Sequence, residues 1–252
     1  IQMIYILSIS ASDTSGGAGM QQDVKVAHDF GCWALSVLSG LTCQTFERVR
    51  QMQPVDTDFL KSQLHVCLET APIAAVKIGA LCSIENMRVV HAFLQTHKPQ
   101  WVVIDPVMAS TDGTLLGGHP QWNNELVQLF KYATVVTPNK IEFEKLTNAH
   151  CNGIDEAIEV AKTFAKQWNT TILLKGGHFD SHDIQEALVS AQGVMRYEYP
   201  RLQWDYQHGT GCTLSTALAC SLAQQGNVQL AYEEATRYLR DWYTGRNEDG
   251  RQ

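Results

Sequence analysis

Five consecutive residues, His208-Gly209-Thr210-Gly211-Cys212, combine a compact glycine turn with an ionisable sulfur. From Thr213 onward, Leu214, Leu218 and Leu222 recur among alanines with the 3.6-residue period of a helix, so Cys212 stands at a predicted helix start. The N–H groups of such a start, backed by the positive end of the helix dipole, suit a phosphate or a phosphoryl group in transfer. Two glycines let the backbone approach that anion closely. Taken alone, a glycine turn is more often an ordinary helix cap, so its meaning depends on what the rest of the chain delivers to it.

Other polar residues stand where apolar runs end. Lys175 opens Lys175-Gly176-Gly177-His178 after the apolar residues 170–174, and a cation emerging into a glycine turn can neutralise phosphate oxygens. Asp105 closes an apolar run at Asp105-Pro106, where it could hold Mg²⁺ through water beside nucleotide phosphates or simply initiate a turn. Thr137, Asn139 and Glu142 gather oxygens at another such end, although Asn139 and Glu142 read equally well as a helix capping box. Gln44 offers donors and an acceptor on one amide, the set that pairs with an aminopyrimidine edge, and also reads as a solvated strand-end glutamine. Asp13 and Asp23 are the charged candidates near the small-residue loop 10–19; the first is also a natural turn residue and the second a helix first-turn carboxylate. That loop matches neither G-x-G-x-x-G nor the Walker A pattern, which leaves it to shape a substrate pocket.

Positioning these groups requires an alternation of elements. Strands are predicted over residues 3–9, 33–41, 75–81, 101–108, 133–136 and 170–174, with a closing hairpin over 186–190 and 194–200 turning at Ala191-Gln192-Gly193. Helices are predicted after the loop 10–19 to about Phe30, over 55–69 and 84–96, after Asn139, from Thr213, and from 228 to about 243. A polar loop falls at 111–114, and the polar tail 244–252 is expected to fray. Strands alternating with helices predict an α/β fold, a mostly parallel sheet with helices on both faces. In such a sheet ligands collect at the strand C-terminal ends. Gln44, Asp105, Asn139 with Glu142, and Lys175 would then meet the anion turn at one edge.

Composition narrows the class. A chain of 252 residues can bury one large core, and a single domain over 1–252 is expected. The formal net charge of -7 argues against nucleic acid as partner. No apolar run reaches the roughly 18 residues that span a bilayer, and no leader is recognisable at the start, so a soluble cytoplasmic protein without a membrane partner is expected. Seven scattered cysteines with no C-x-x-C pair read as free thiols, most of them small buried apolar residues. The histidines show no metal-ligand spacing and read as surface or core residues.

In order along the chain, Ser12-Asp13-x-Ser15-Gly16-Gly17-Ala18-Gly19, Lys77-Ile78-Gly79, Asp105-Pro106-Val107-Met108, Thr137-Pro138-Asn139, Lys175-Gly176-Gly177-His178 and His208-Gly209-Thr210-Gly211-Cys212 resemble the hydroxymethylpyrimidine phosphate kinases of thiamine biosynthesis, within the ribokinase-like superfamily. The resemblance runs from about residue 4 to about residue 240. It implies a three-layer α/β/α sandwich and two successive ATP-dependent phosphorylations, of 4-amino-5-hydroxymethyl-2-methylpyrimidine and then of its monophosphate. It also implies the site. Gln44 would meet the pyrimidine edge, with Asp13, Gly19, Asp23, Ala80 and Val107 around the substrate; Lys175 and Asn139 would face ATP, and Asp105 and Glu142 would stand near Mg²⁺ and its waters. Gly209, Thr210 and Gly211 would form the anion hole. Cys212 would be the catalytic residue where the wider superfamily has an aspartate base, with its thiolate favoured by the helix start.

The chain departs from the pattern in two places. Ala80 stands where the family often has a methionine over the substrate ring, which implies a roomier pocket, and the usual glycine-rich C-terminal segment is replaced by the polar residues 243–252. A pyridoxal kinase, which shares the cysteine-bearing turn, is the competing enzyme reading, and a pyrimidine-binding protein without turnover is the competing non-enzymatic one. A homodimer is the candidate assembly.

Overall fold

The computed structural model describes residues 3–108, 119–179, 181–202 and 208–248. The chain alternates between sheet and helix as the sequence pattern requires: β1 (Ile4–Ser12), α1 (Gly19–Asp29), β2 (Cys32–Gln44), β3 (Val49–Pro54), α2 (Thr57–Thr70), β4 (Ile73–Ile78), α3 (Ile84–His97) and β5 (Val102–Ile104). There follow α4 (Trp122–Phe130), β6 (Val135–Val136), α5 (Lys140–Thr147), α6 (Ile154–Trp168) and β7 (Thr171–Leu174). A 3-10 turn at Gly176–His178 leads into the hairpin β8 (Ile184–Ser190) and β9 (Gly193–Tyr199), then α7 (Thr210–Gln225) and α8 (Val228–Glu248).

The strands form one nine-stranded sheet in the order β3-β2-β1-β4-β5-β6-β7-β8-β9. From β2 to β7 all neighbours are parallel, and the antiparallel strands β3, β8 and β9 lie toward the edges. Side chains on successive strand residues alternate between faces, and both faces are covered. Leu7, Ile9, Val76, Ile78, Val102 and Ile104 pack with the apolar stripes of α2 to α6. Ile6, Ala75, Val103, Val135 and Leu173 pack with α1, α7 and α8 on the other side. Buried runs such as Val102-Val103-Ile104 are apolar at every position because each residue meets a helix layer. Strand order reverses between β1 and β4, since β1 leads outward to β2 while β4 lies on its other side. A crevice beyond the carboxyl ends of β1 and β4 is the consequence.

The observed elements differ from the sequence expectations in instructive ways. β3 escapes the period-2 pattern because its residues Val-Arg-Gln-Met-Gln-Pro lie mostly exposed at the edge, held by ladder bonds to β2 rather than by burial. No element was expected over 119–132 or 150–169, where α4 and α6 lie, although α6 buries Ile154, Ala157, Ile158, Ala161 and Ala165 at helical spacing. β1 runs on to Ser12, and β5 ends at Ile104, so Asp105 stands just beyond it. α7 begins at Thr210 rather than Thr213, which makes the glycine turn and the first helical turn one structure. α8 continues through Glu248, so the first part of the expected frayed tail is helical, whereas 249–252 and the polar loop 111–114 lie outside the described residues. No helix among the described residues is long and apolar enough to cross a membrane.

Candidate functional site

α7 starts at Gly209, whose φ of +84° only glycine adopts readily, and a Cβ there would run into the Gly17 carbonyl. Thr213 is the first residue of the helix to bond back, to the Gly209 carbonyl at 2.9 Å. The N–H groups up to Cys212 therefore have no acceptor within the helix, and they point out of its positive end. Across from them stand a cation and a carboxylate. A Cβ on Gly211 would lie 3.1 Å from Asp105 Oδ2 and 3.5 Å from Lys175 Nζ, so glycine here lets both charged groups approach the first turn.

Lys175 donates to Asp105 Oδ1 at 2.9 Å and lies 3.9 Å from Glu142 Oε2. Burial alone would lower the lysine, but the two carboxylates hold it well above its ordinary value, so it is a fixed positive charge. Thr137 Oγ1 donates to the same Asp105 oxygen at 3.3 Å. Asn139 and Glu142 form the capping box of α5: Asn139 Oδ1 accepts from the Glu142 amide at 2.9 Å, and Glu142 Oε2 accepts from the Asn139 amide at 2.8 Å. Burial pushes the Glu142 carboxyl up to about 7, with Lys175 opposing and Asp105 adding to the shift.

Asp13 is an organiser of its own loop. Its carboxylate accepts from the Ser15 amide and hydroxyl, the Ala18 amide at 2.7 Å and His208 Nε2 at 2.9 Å. Burial would raise it, but the bonds from His208 and Ser15 prevail and hold it well below the usual carboxylate range. Here the turn-residue reading holds, extended by a partner 195 residues away that no local spacing reveals. His208, expected to be an ordinary surface or core histidine, ties the loop 13–19 to the anion turn.

Asp23 stands apart from the other candidates. It is wholly buried beneath the cavity, where its two oxygens accept from Lys77 Nζ at 2.9 and 2.7 Å, Ser8 Oγ at 2.6 Å and Thr216 Oγ1 at 2.8 Å. It lies outside the cavity lining, and its oxygens accept from protein donors. α1 turns this residue toward the sheet, and the alternation of β4 places Lys77 on the same side.

Cys212 corrects a second expectation. Its sulfur accepts from the Gly19 amide, but burial pushes the thiol up to about 11. Lys77 draws it down while Asp23 and Asp105 push it further up, and the helix start does not reverse the balance. Burial therefore favours the thiol over the thiolate.

One cavity of about 470 Å³ joins these groups. Asp13, Gly19, Gln44, Ala80, Asp105, Val107, Asn139, Glu142, Lys175, Gly209, Thr210, Gly211 and Cys212 all line it. Its apolar wall includes Ala80, Val107 and Met108, with Gln44 at the rim on the end of β2. Sequence reasoning missed several further lining residues, among them Ser10, His178, Arg201 and Arg240. Arg201 and Arg240 carry no local motif and reach the cavity only through the packing of β9 and α8. His178 is held below its usual value by burial and by the charge of Lys175.

Residues 13–249 match the model of the phosphomethylpyrimidine kinase family. Over 240 residues the chain is 31% identical to the hydroxymethylpyrimidine/phosphomethylpyrimidine kinase of Escherichia coli, covering 95% of this chain and 90% of that one. It is 34% identical over 234 residues to the thiamine biosynthesis bifunctional protein ThiED of Geobacter sulfurreducens, covering 93% of this chain but 48% of that protein. The chain thus spans about half the length of that bifunctional relative. Among solved structures, pyridoxal kinase from Staphylococcus aureus in complex with AMP-PCP superposes with a TM-score of 0.85 at 26% identity, over 95% of this chain and 87% of that one.

Proposed function

Because this chain belongs to the phosphomethylpyrimidine kinase family and has its ribokinase-like fold, we propose that it transfers the terminal phosphoryl group of ATP to 4-amino-5-hydroxymethyl-2-methylpyrimidine and then to the resulting monophosphate, in thiamine biosynthesis. The observation that carries this reading is the approach of Lys175 and Asp105 to the first turn of α7, in the same cavity as Gln44 and Cys212. In the first step the hydroxymethyl oxygen bonds to the terminal phosphorus, the bond to the leaving ADP breaks, and the hydroxyl proton must be removed. In the second step the acceptor is an ionised phosphate oxygen. Such transfers depend mainly on positioning and charge stabilisation. Lys175 and the N–H groups at Gly209–Cys212 would bracket the moving phosphoryl group, Gln44 would orient the aminopyrimidine edge, and Ala80 and Val107 would bound the ring.

The residues present fit magnesium held jointly with phosphate. No group of three or more His, Cys, Asp or Glu converges among the described residues, as an ion held by protein alone would need. Asp105 and Glu142 instead supply two carboxylates beside Lys175, the usual protein share of a site that phosphate oxygens and water complete. An ion bound there would neutralise charge on the nucleotide phosphates. Cys212 would receive the hydroxymethyl proton. Burial pushes its thiol up to about 11, so the thiol predominates near neutral pH and the first step should quicken as pH rises.

Ala80 favours one competing reading, since a small side chain on the ring wall leaves space for a pyridine such as pyridoxal. Protein supplied with Mg-ATP and either the hydroxymethylpyrimidine or pyridoxal, with products separated by mass, decides between them. Monophosphate and diphosphate from the pyrimidine are expected. Phosphorylation of pyridoxal alone would overturn the assignment, and ligand binding without ATP consumption would make the chain a binding protein.

A further inference from the structure

The two halves of the phosphate cradle, the Lys175 turn and the first turn of α7, belong to different elements, and α8 reaches both. Tyr232 donates to Glu186 Oε2 at 2.6 Å, and Oε1 of the same carboxylate accepts from the Gly176 amide at 3.0 Å. Two hydrogen bonds in series thus run from α8 into the residue that follows Lys175. Further along α8, Tyr243 donates to the His208 carbonyl at 2.9 Å, next to Gly209. The two tyrosines are 11 positions apart, which at about 100° per residue is three turns plus about 20°, so they leave the helix on one face. Both are buried, at 0% and 2% exposure. A phenylalanine would fill either place, and a buried hydroxyl costs stability unless it is bonded. Both hydroxyls are bonded to the backbone of the cradle, one directly and one through Glu186. The Lys175 turn has little slack, because a Cβ on Gly176 would strike the Gln185 carbonyl on β8.

We propose that Tyr232, acting through Glu186, and Tyr243 are positioning residues through which α8 sets the separation between the Lys175 ammonium and the N–H groups of the anion turn. The inference rests on the functional reading above, in which these two groups bracket a phosphoryl group. Displacement of such groups by about 1 Å can lower a rate by about 10²-fold. Tyr232→Phe and Tyr243→Phe keep each ring and remove one hydroxyl. Each should lower kcat by about 10-fold while leaving KM for the pyrimidine within about twofold, because neither tyrosine is among the residues that line the cavity with Gln44, Ala80 and Val107. Each should also weaken binding of inorganic tripolyphosphate by about 10-fold in calorimetry. Unchanged kcat and tripolyphosphate affinity in both variants would overturn the proposal, as would a pyrimidine KM that rises in step with the fall in kcat. If the wild-type protein does not phosphorylate the pyrimidine, the functional reading fails and the tripolyphosphate measurement alone decides the positioning role. Should either phenylalanine variant unfold by circular dichroism, Glu186→Gln takes its place. It keeps the shape of the bridge but has one acceptor oxygen instead of two, so Oε1 still accepts from the Gly176 amide while the Tyr232 hydroxyl must accept from Nε2 instead of donating, and kcat should fall about threefold. Wild-type kcat in that variant would overturn the proposal.

Discussion

Two influences oppose each other at Cys212. A helix start favours an anion, but removal from water disfavours one, and at this sulfur the second prevails, leaving the thiol at about 11. If Cys212 receives the hydroxymethyl proton, kcat for monophosphate formation should rise about tenfold per pH unit from 7 toward 9, while diphosphate formation stays flat. Parallel pH profiles for the two substrates check this. Cys212→Ala should abolish the first step and impair the second much less, because the N–H groups of the turn survive; Cys212→Asp should recover part of the first step. Equal losses in both steps would assign Cys212 to packing or anion binding. Lys175, a fixed charge between Asp105 and the anion turn, should matter in both steps, and Lys175→Ala should lower kcat by about 10²-fold or more. Gln44→Leu should weaken use of the pyrimidine by about 1–3 kcal/mol without changing nucleotide affinity, as separate KM measurements for the two substrates would reveal.

At the scale of elements, the site depends on the loop after β1 meeting the start of α7. Gly209→Ala would place a methyl group against the Gly17 carbonyl at a backbone angle that alanine resists. Loss of turnover is expected, with destabilisation of about 1–3 kcal/mol measured by denaturant unfolding. The Asp13–His208 bond joins the same two segments and makes their union sensitive to acid. The folded-state pKa of Asp13 lies below its unfolded value of 3.8, so its contribution to stability is present above that value and is lost as pH falls through the folded pKa. Asp13→Asn should therefore melt lower than the wild type at pH 7, and the difference in Tm should shrink as pH falls below about 4. A constant difference across that range would remove Asp13 from the acid response.

For the molecule as a whole, the Lys77–Asp23 pair marks where β1, β4, α1 and α7 meet, fully buried and linked to Ser8 and Thr216. Removing one partner leaves an uncompensated buried charge. Lys77→Met or Asp23→Leu alone should cost about 3–5 kcal/mol, whereas the double variant should lie much nearer the wild type. Chemical denaturation of the three variants tests this, and additive losses would show that the charges are not coupled.

Local pattern determined the parallel α/β class and most of the strands, because a strand covered on both faces is apolar at most positions and a helix must carry its apolar residues at the 3.6 period. It also marked Lys175, Asp105, Asn139, Glu142 and the glycine turn, since each sits where such a run stops and a parallel sheet sends all those stops to one edge. The edge strand β3 was not legible, since its ladder bonds to β2 leave no trace in side-chain types. Neither was the fate of individual charges. Asp13 and Asp23 look alike in sequence, yet one faces the loop and His208 while the other is sealed under the cavity by Lys77, a difference made by partners 195 and 54 residues away. Likewise the ionisation of Cys212 depends on how completely the surrounding elements exclude water from its sulfur. Burial is a property of the packed chain, so only the tertiary structure could decide it.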